Sequence, residues 1–503
     1  MINWAGLASI LVFYVLILGV GLYAAWKRRS NNNNPDEIIL AGRTIGPFVG
    51  LMTMTATWVG GGYINGTAEV TYSQGLLYCQ APFGYAISLA LGGIFFAKKM
   101  REAEYKTMLD PLQECFGQGW GAMLYLPALL GETLWSASIL AALGSTLSVI
   151  LGLTDSISII VSAGIAVSYT LFGGLYSVAY TDVVQLFCIA IGLWLSVPFA
   201  MQSEFVGDMS LNATNWTGDV PDDPYKWGAW WDYAFLLICG GIPWQVYFQR
   251  VLSAQTGRQA QFLSIGASVG CIIMAIPSII IGIVARATDW ESTGFNKTLS
   301  EDGDQKLVLP LVLQYLTPQW VAFIGLGAVS AAVMSSADSS VLSASSMFAH
   351  NIYKGVIRPS ASIKEQTIVL RIMIPIVGGA ACAIAIYVKS IYYLFYLCGD
   401  LVYVMLFPQL TLAVHFPKYV NRSGSIAAYF LGFFLRVLGG EKELSIPAVI
   451  HYPWYDYVNG VQNFPFRTLS MIVTFVTLLL VSWLTKSFNK RRQNWNVNSP
   501  KSP

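Results

Sequence analysis

The chain has 503 residues, of which 55% are hydrophobic and only 11% charged, with a formal net charge of +2. Soluble domains carry about 25% charged residues, so this composition belongs to an integral membrane protein. No basic run with interleaved aromatics is present, which excludes a nucleic-acid partner.

Apolar runs near the ~20 residues needed to cross a bilayer recur along the whole length. They predict spans near 7–26, 45–70, 76–97, 120–151, 157–176, 180–202, 229–250, 261–286, 308–350, 367–388, 391–415, 424–438 and 468–486, about thirteen in all. The first run lacks a basic leading region and a cleavage site, and Lys27-Arg28-Arg29 follows it, so it reads as a retained span. The interval 308–350 exceeds one span and is expected to include a helical extension. Residues 31–34 and 487–503 read as disordered, and no soluble domain is expected. The seven cysteines lie in or beside spans, which argues against a disulfide framework.

Lysine and arginine concentrate in short cytoplasmic loops. An extracellular N-terminus places 21 of the 29 on the cytoplasmic side, Arg250 among them; the opposite orientation leaves eight there. The two longer polar loops, 203–228 and 287–307, then lie outside and carry glycosylation sequons at Asn212, Asn215 and Asn296. Sequons at Asn65 and Asn421 fall in a span and on the cytoplasmic side, and are expected to stay unmodified.

Two spans carry breaks. One reads Thr57-Trp58-Val59-Gly60-Gly61-Gly62-Tyr63-Ile64-Asn65-Gly66, the other Gly240-Gly241-Ile242-Pro243-Trp244. Lipid tolerates a broken helix only where the freed backbone faces protein or a water-filled cavity. The breaks fall at equivalent places in two five-span blocks, 45–202 and 229–415, and an odd span number inserts the second block upside down. Glycine is frequent in membrane helices generally, but inverted repeats with broken first helices are the architecture of secondary transporters. The expected organisation is therefore 1–44 (N-terminus, first helix and loop), 45–202 (first repeat), 203–228 (external loop), 229–415 (second repeat), 416–486 (two peripheral helices) and 487–503 (cytoplasmic tail).

Within 308–350, Ala332, Ser336, Ser339, Ser343 and Ser346 form one helical stripe. Small residues let helices pack closely, which is one reading of Ser343 and Ser346. It does not account for Asp338, because an ionisable residue deep in a span usually faces a cavity or ion path. Hydroxyl and carboxylate oxygens, joined by carbonyls freed near Ala56 and Val59, suit Na⁺. Asp182 is open to two readings, a cap for the helix that follows or an ion ligand. Trp58 and Trp244 sit at the breaks, with Tyr85 and Trp135 in neighbouring spans. A box of aromatic faces suits a quaternary ammonium, which has no N–H to donate. An intramembrane enzyme needs clustered histidines or carboxylates, and only His350, His415 and His451 exist, far apart in sequence.

These strings resemble the sodium:solute symporter family, in its high-affinity choline-transporting branch. The matching strings are Thr53 to Trp58 with Gly66 to Glu69, Thr107 to Pro111, Gly173 to Gln185, Gly240 to Arg250 and Gly325 to Phe348. The resemblance implies an all-α fold of thirteen transmembrane helices with an inverted five-helix repeat and a LeuT-like core. It implies a sodium site from the carbonyls of Ala56, Val59 and Ala332 and the hydroxyls of Ser335 and Ser336. A second sodium site corresponds to Asp182, Asp338 and Ser339. Trp58, Tyr85, Trp135 and Trp244 are placed around the trimethylammonium head of choline. Chloride dependence, choline supply for acetylcholine synthesis, and residence in plasma, presynaptic and synaptic-vesicle membranes are also implied. Asp232 and Glu441 match acidic positions of the branch and are expected to attract cations. A Na⁺ symporter for a sugar, proline or a vitamin is the rival reading, and oligomerisation is left open. Animal members of the branch carry a longer cytoplasmic tail than one ending at Pro503.

Overall fold

The computed structural model describes residues 4–27, 39–172, 175–295, 297–299, 304–388 and 390–498. The principal helices are α1 (Trp4–Lys27), α2 (Pro47–Trp58), α3 (Gly61–Ser73), α4 (Ala81–Leu91), α5 (Tyr125–Leu151), α6 (Asp155–Phe172), α7 (Leu175–Met201), α8 (Lys226–Gly240), α9 (Gln245–Ser253) and α10 (Gly257–Arg286). They continue with α11 (Val308–Tyr315), α12 (Gln319–Met347), α13 (Ile363–Tyr387), α14 (Ile391–Leu401), α15 (Phe407–His415), α16 (Arg422–Leu438) and α17 (Phe466–Asn498). A two-stranded antiparallel ribbon, β1 (Tyr455–Asp456) and β2 (Val461–Gln462), decorates the loop before α17.

Among the described residues, nine helical stretches are long and apolar enough to cross a membrane, against the thirteen expected. The shortfall has a physical origin. Breaks divide two expected spans into α2/α3 and α8/α9, α16 has only 17 residues, and α6 ends against residues 173–174, which lie outside the described residues. The interval 308–350 divides at Leu316–Pro318 into α11 and α12, and α12 runs on through a π-type turn to Ile357. The tail departs from expectation: α17 continues to Asn498, because Lys486 to Gln493 are mostly good helix formers. Residues 31–34 lie outside the described residues.

α12 is the central helix, packing against α1, α5, α7 and α13. Every residue from Gly325 to Met347 is buried, and the run is dominated by Ser, Ala and Gly. Small side chains let neighbouring backbones approach. A Cβ at Gly192 of α7 would stand 2.4 Å from the Ala328 methyl, and one at Gly327 would meet Phe13 of α1 at 2.4 Å.

Buried charge fixes two further joints. Glu69 at the end of α3 accepts from Ser390 Oγ (2.6 Å) and from the amides of Ile391 (3.1 Å) and Tyr392 (3.3 Å). It thereby caps α14, where free N–H groups attract an anion. At the ends of α8, α14, α16 and α17, Arg467 donates to Asp400 (3.3 Å) and Glu441 (2.8 Å), and its amide donates to Asp232 (3.1 Å). Arg436 donates to Asp400 at 2.6 Å and also pairs with Glu441. Asp232 and Glu441 are thus buried ion-pair partners and do not face solvent as attractors of cations.

Breaking a buried pair from one side costs about 3–5 kcal/mol. Arg436→Met should therefore lower the unfolding temperature of the detergent-solubilised protein sharply; a shift of only a degree or two would show that the cluster does not hold these helices together.

Candidate substrate and ion site

α2 stops at Trp58 because Val59 leaves helical geometry (φ −83°, ψ 60°) and Gly60 is extended (φ −91°, ψ 179°), and α3 restarts at Gly61. The last carbonyls of a helix have no partner within it. Thr55 recovers one from the Val59 amide at 2.9 Å. The second break is equally real: α8 ends at Gly240, Trp244 is extended (φ −120°, ψ 124°), and α9 begins at Gln245. Both expected breaks therefore stand.

The first break lies against α12. Ser336 Oγ approaches Thr57 O at 3.4 Å and Ala332 O at 3.5 Å. A Cβ at Gly60 would stand 1.7 Å from the Ser336 hydroxyl and 3.8 Å from Ala332 O, so only glycine permits this approach. Thr57, Gly60, Ala332 and Ser336 are thus brought to one place. Ser335 is not: its hydroxyl donates to Asp182 Oδ1 at 2.5 Å.

Asp182 lies well inside α7, which begins at Leu175, so the capping reading is wrong. A cap serves the free amides of a helix's first turn, whereas Asp182 accepts from Thr53, Ser335 and Arg250 on three other helices. Arg250 itself was placed by sequence on the cytoplasmic surface and is instead fully buried. It donates to Asp182 at 3.3 Å, Ser339 at 2.5 Å and Gln249 at 3.2 Å. The expected second cation set, Asp182, Asp338 and Ser339, is brought together with this guanidinium among its members. Both carboxylate oxygens of Asp338 are buried with no hydrogen-bond partner among the described residues. Further along α12, Ser343 donates to Gln249 at 2.9 Å and Ser346 to its own helix at 2.9 Å, so these two serve packing.

The four expected rings meet and are all buried. Trp135 is the hub, with centroids 5.8 Å from Trp58, Tyr85 and Trp244 at interplanar angles of 73°, 83° and 68°. Trp58 and Tyr85 lie 4.9 Å apart at 47°. Near-perpendicular rings at this separation are the geometry of edge-to-face packing. They are equally the geometry of adjacent walls of a box, since a cation held by two such faces lies within ~6 Å of each centroid. The Trp58 indole N–H has no partner among the described residues.

Sequence reasoning missed three participants. Phe395 of α14 sits 5.0 Å from Trp135 at 86° and 6.0 Å from Tyr85, whose hydroxyl donates to the Phe395 carbonyl at 3.2 Å. The aromatic density of Ile391 to Tyr396 was the available signal. Glu132, three residues before Trp135, accepts from Ser340 at 2.7 Å and from the Val246 amide at 3.3 Å, tying α5 to α12 and to the second break. Arg250 and Glu132 are both ionisable residues within predicted spans, the same signal that had picked out Asp338.

Two broken helices converging on a buried aromatic and hydroxyl-lined centre define a secondary transporter. The chain belongs to the sodium:solute symporter family, which matches residues 38–432. It is a membrane transporter and not an enzyme. The protein called High-affinity choline transporter 1 in Drosophila melanogaster is 56% identical over 487 residues, covering 97% of this chain and 79% of the relative. The one of that name in Caenorhabditis elegans is 56% identical over 496 residues, covering 96% and 85%. A solved outward-open, substrate-bound Na⁺-coupled sialic acid symporter superposes with a TM-score of 0.75 over 96% of this chain and 98% of its own. At 17% identity that likeness concerns the fold, an inverted five-helix repeat with a LeuT-like core.

Gly60→Ala should abolish stabilisation by Na⁺ against heat, read as the difference in unfolding temperature between NaCl and KCl. Retention of the wild-type difference would disconnect the break from ion binding.

Proposed function

We propose that this protein imports choline coupled to Na⁺, by alternating access around the two breaks. The observation that carries the reading is the convergence of Trp58, Tyr85, Trp135 and Trp244, with Trp58 ending the same helix whose break at Gly60 meets Ser336. A trimethylammonium group donates no hydrogen bond, so faces of rings are its natural partners. The relatives' names point to the same substrate. Sugars, proline and vitamins need polar hydrogen-bonding groups, whereas the breaks present indoles.

In this reading Na⁺ binds to the carbonyls of Ala56, Val59 and Ala332 with Ser336. Ser335 holds Asp182 and shapes the site indirectly. Pinning the end of α2 orders Trp58, which completes the box. A second Na⁺ has Asp338 as its remaining carboxylate, because Arg250 already compensates Asp182. The membrane potential contributes about 2.3 kcal/mol per elementary charge per 100 mV, acting on Na⁺ and choline alike. Co-bound chloride would offset one charge.

The reading extends to thirteen crossings with an extracellular N-terminus and cytoplasmic C-terminus in the plasma membrane. Asn212 and Asn215 are exposed on the external loop and would accept glycans; Asn296 lies outside the described residues. Imported choline would supply acetylcholine synthesis.

Labelled choline uptake into proteoliposomes with Na⁺, Li⁺ or K⁺ outside tests the coupling. Uptake should require Na⁺, and equal uptake with K⁺ would sink it. Trp58→Leu and Trp244→Leu should each raise the half-saturating choline concentration at least tenfold, about 1.4 kcal/mol, while Na⁺ stabilisation survives. Unchanged uptake in both would end the box assignment.

A further inference from the structure

A second cavity lies apart from the breaks. It measures about 330 Å³ and is bounded by α5, α13, α14, α16 and the loop 440–446. That volume is at the lower end of the ~300–1,000 Å³ typical of small-ligand sites. Its walls are mostly apolar, with Leu130, Leu134, Ile384 and Leu401 among them, and the charged residues Asp400, Arg436 and Glu441 also line it. Leu130, Val437 and Ile446 at its rim are exposed on the protein's outside, so the cavity opens sideways toward lipid.

Its charge balance is uneven. Asp400, Asp232 and Glu441 face two guanidinium groups, Arg436 and Arg467, which leaves one negative charge in excess. Both arginines reach Asp400 through Oδ2. Oδ1 is buried with no partner among the described residues, on a side chain that is only 3% exposed. A buried carboxylate oxygen without a donor is costly, and a charged donor would relieve it best.

We propose that this cavity is a lateral binding site for a lipophilic amine in its protonated form. The ammonium N–H donates to Asp400 Oδ1, and the hydrocarbon lies against Leu130, Leu134 and Leu401. A quaternary ammonium has no N–H and gains no hydrogen bond there, so the cavity discriminates against choline-like heads while the aromatic box favours them. Under the orientation proposed above, the amine enters from the outer leaflet. The occupant also touches the transport site's scaffold: Leu134 precedes Trp135, and Asp400 shares α14 with Phe395.

The test is equilibrium binding of radiolabelled N,N-dimethyldecylamine to the full-length protein in nanodiscs, with empty nanodiscs subtracted and saturating choline present. Because it reads binding alone, it stands whether or not choline is transported. One saturable site is expected, undisturbed by choline. Ile446→Trp, which blocks the rim without touching the ion pairs, should weaken binding at least tenfold, and Asp400→Asn should do the same where it folds. Decyltrimethylammonium should displace the label at least tenfold less well than unlabelled amine. Displacement by choline, indifference to Ile446→Trp, equal displacement by the trimethyl analogue, or displacement by cholesterol would each overturn the proposal.

Discussion

Hydrocarbon offers no hydrogen bonds, so a broken membrane helix survives only if protein groups take over its backbone. Everything at the centre of this molecule follows from that constraint. The break at Val59–Gly60 is covered by α12, whose Ser336 hydroxyl stands where any side chain at Gly60 would have to be. The run of small residues in α12 is therefore the condition that lets a hydroxyl reach the freed carbonyls. A leucine-rich helix would hold the break at arm's length and leave its carbonyls facing apolar side chains.

The same constraint governs charge. Among the described residues, most buried ions are met by residues from several helices. Asp182 gathers Thr53, Ser335 and Arg250, so α2, α7, α9 and α12 share one network. Glu132 links α5 to α12 and to the second break. Arg436 and Arg467 do the equivalent for α8, α14, α16 and α17. Buried pairs of this kind contribute less to net stability than to fixing which helices meet, since desolvation offsets much of the attraction. Asp338 is the exception in the first network: among the described residues its oxygens have no hydrogen-bond partner, which suits the cation role proposed for it.

Local rules made much of this legible in the chain. Gly60-Gly61-Gly62 and Gly240-Gly241-Ile242-Pro243 announced the breaks because adjacent glycines, and glycines beside a proline, weaken the helical ladder more than a single one does. Trp58 and Trp244 were found because indoles beside mid-span glycines have no interfacial duty; Tyr85 and Trp135 came from neighbouring spans and the family resemblance. What stayed hidden depended on partners distant in sequence. The cap reading of Asp182 was reasonable for a residue near an expected span start, and failed because α7 begins at Leu175. Arg250 ended a predicted span, where arginines usually meet water, and only the fold reveals Asp182 opposite it. Phe395 lies far along the chain from Trp135, and its contact is set by the packing of α14 against α5.

In the proposed mechanism, one short segment connects ion to substrate. Ala56 and Val59 belong to the oxygen-rich side of the first break, while Trp58, between them, turns its ring toward Tyr85 and Trp135. A residue whose neighbours are pinned by a cation cannot keep its side chain free, because φ and ψ at Trp58 are bounded on both sides. Ordering the backbone for Na⁺ would therefore remove rotational freedom that choline would otherwise have to quench on arrival. That saving is a coupling free energy, and linkage makes it reciprocal: choline in the box must tighten Na⁺ binding by the same factor. Coupling in this geometry needs no relay across the protein, only the covalent adjacency of Trp58 to the carbonyls that flank it.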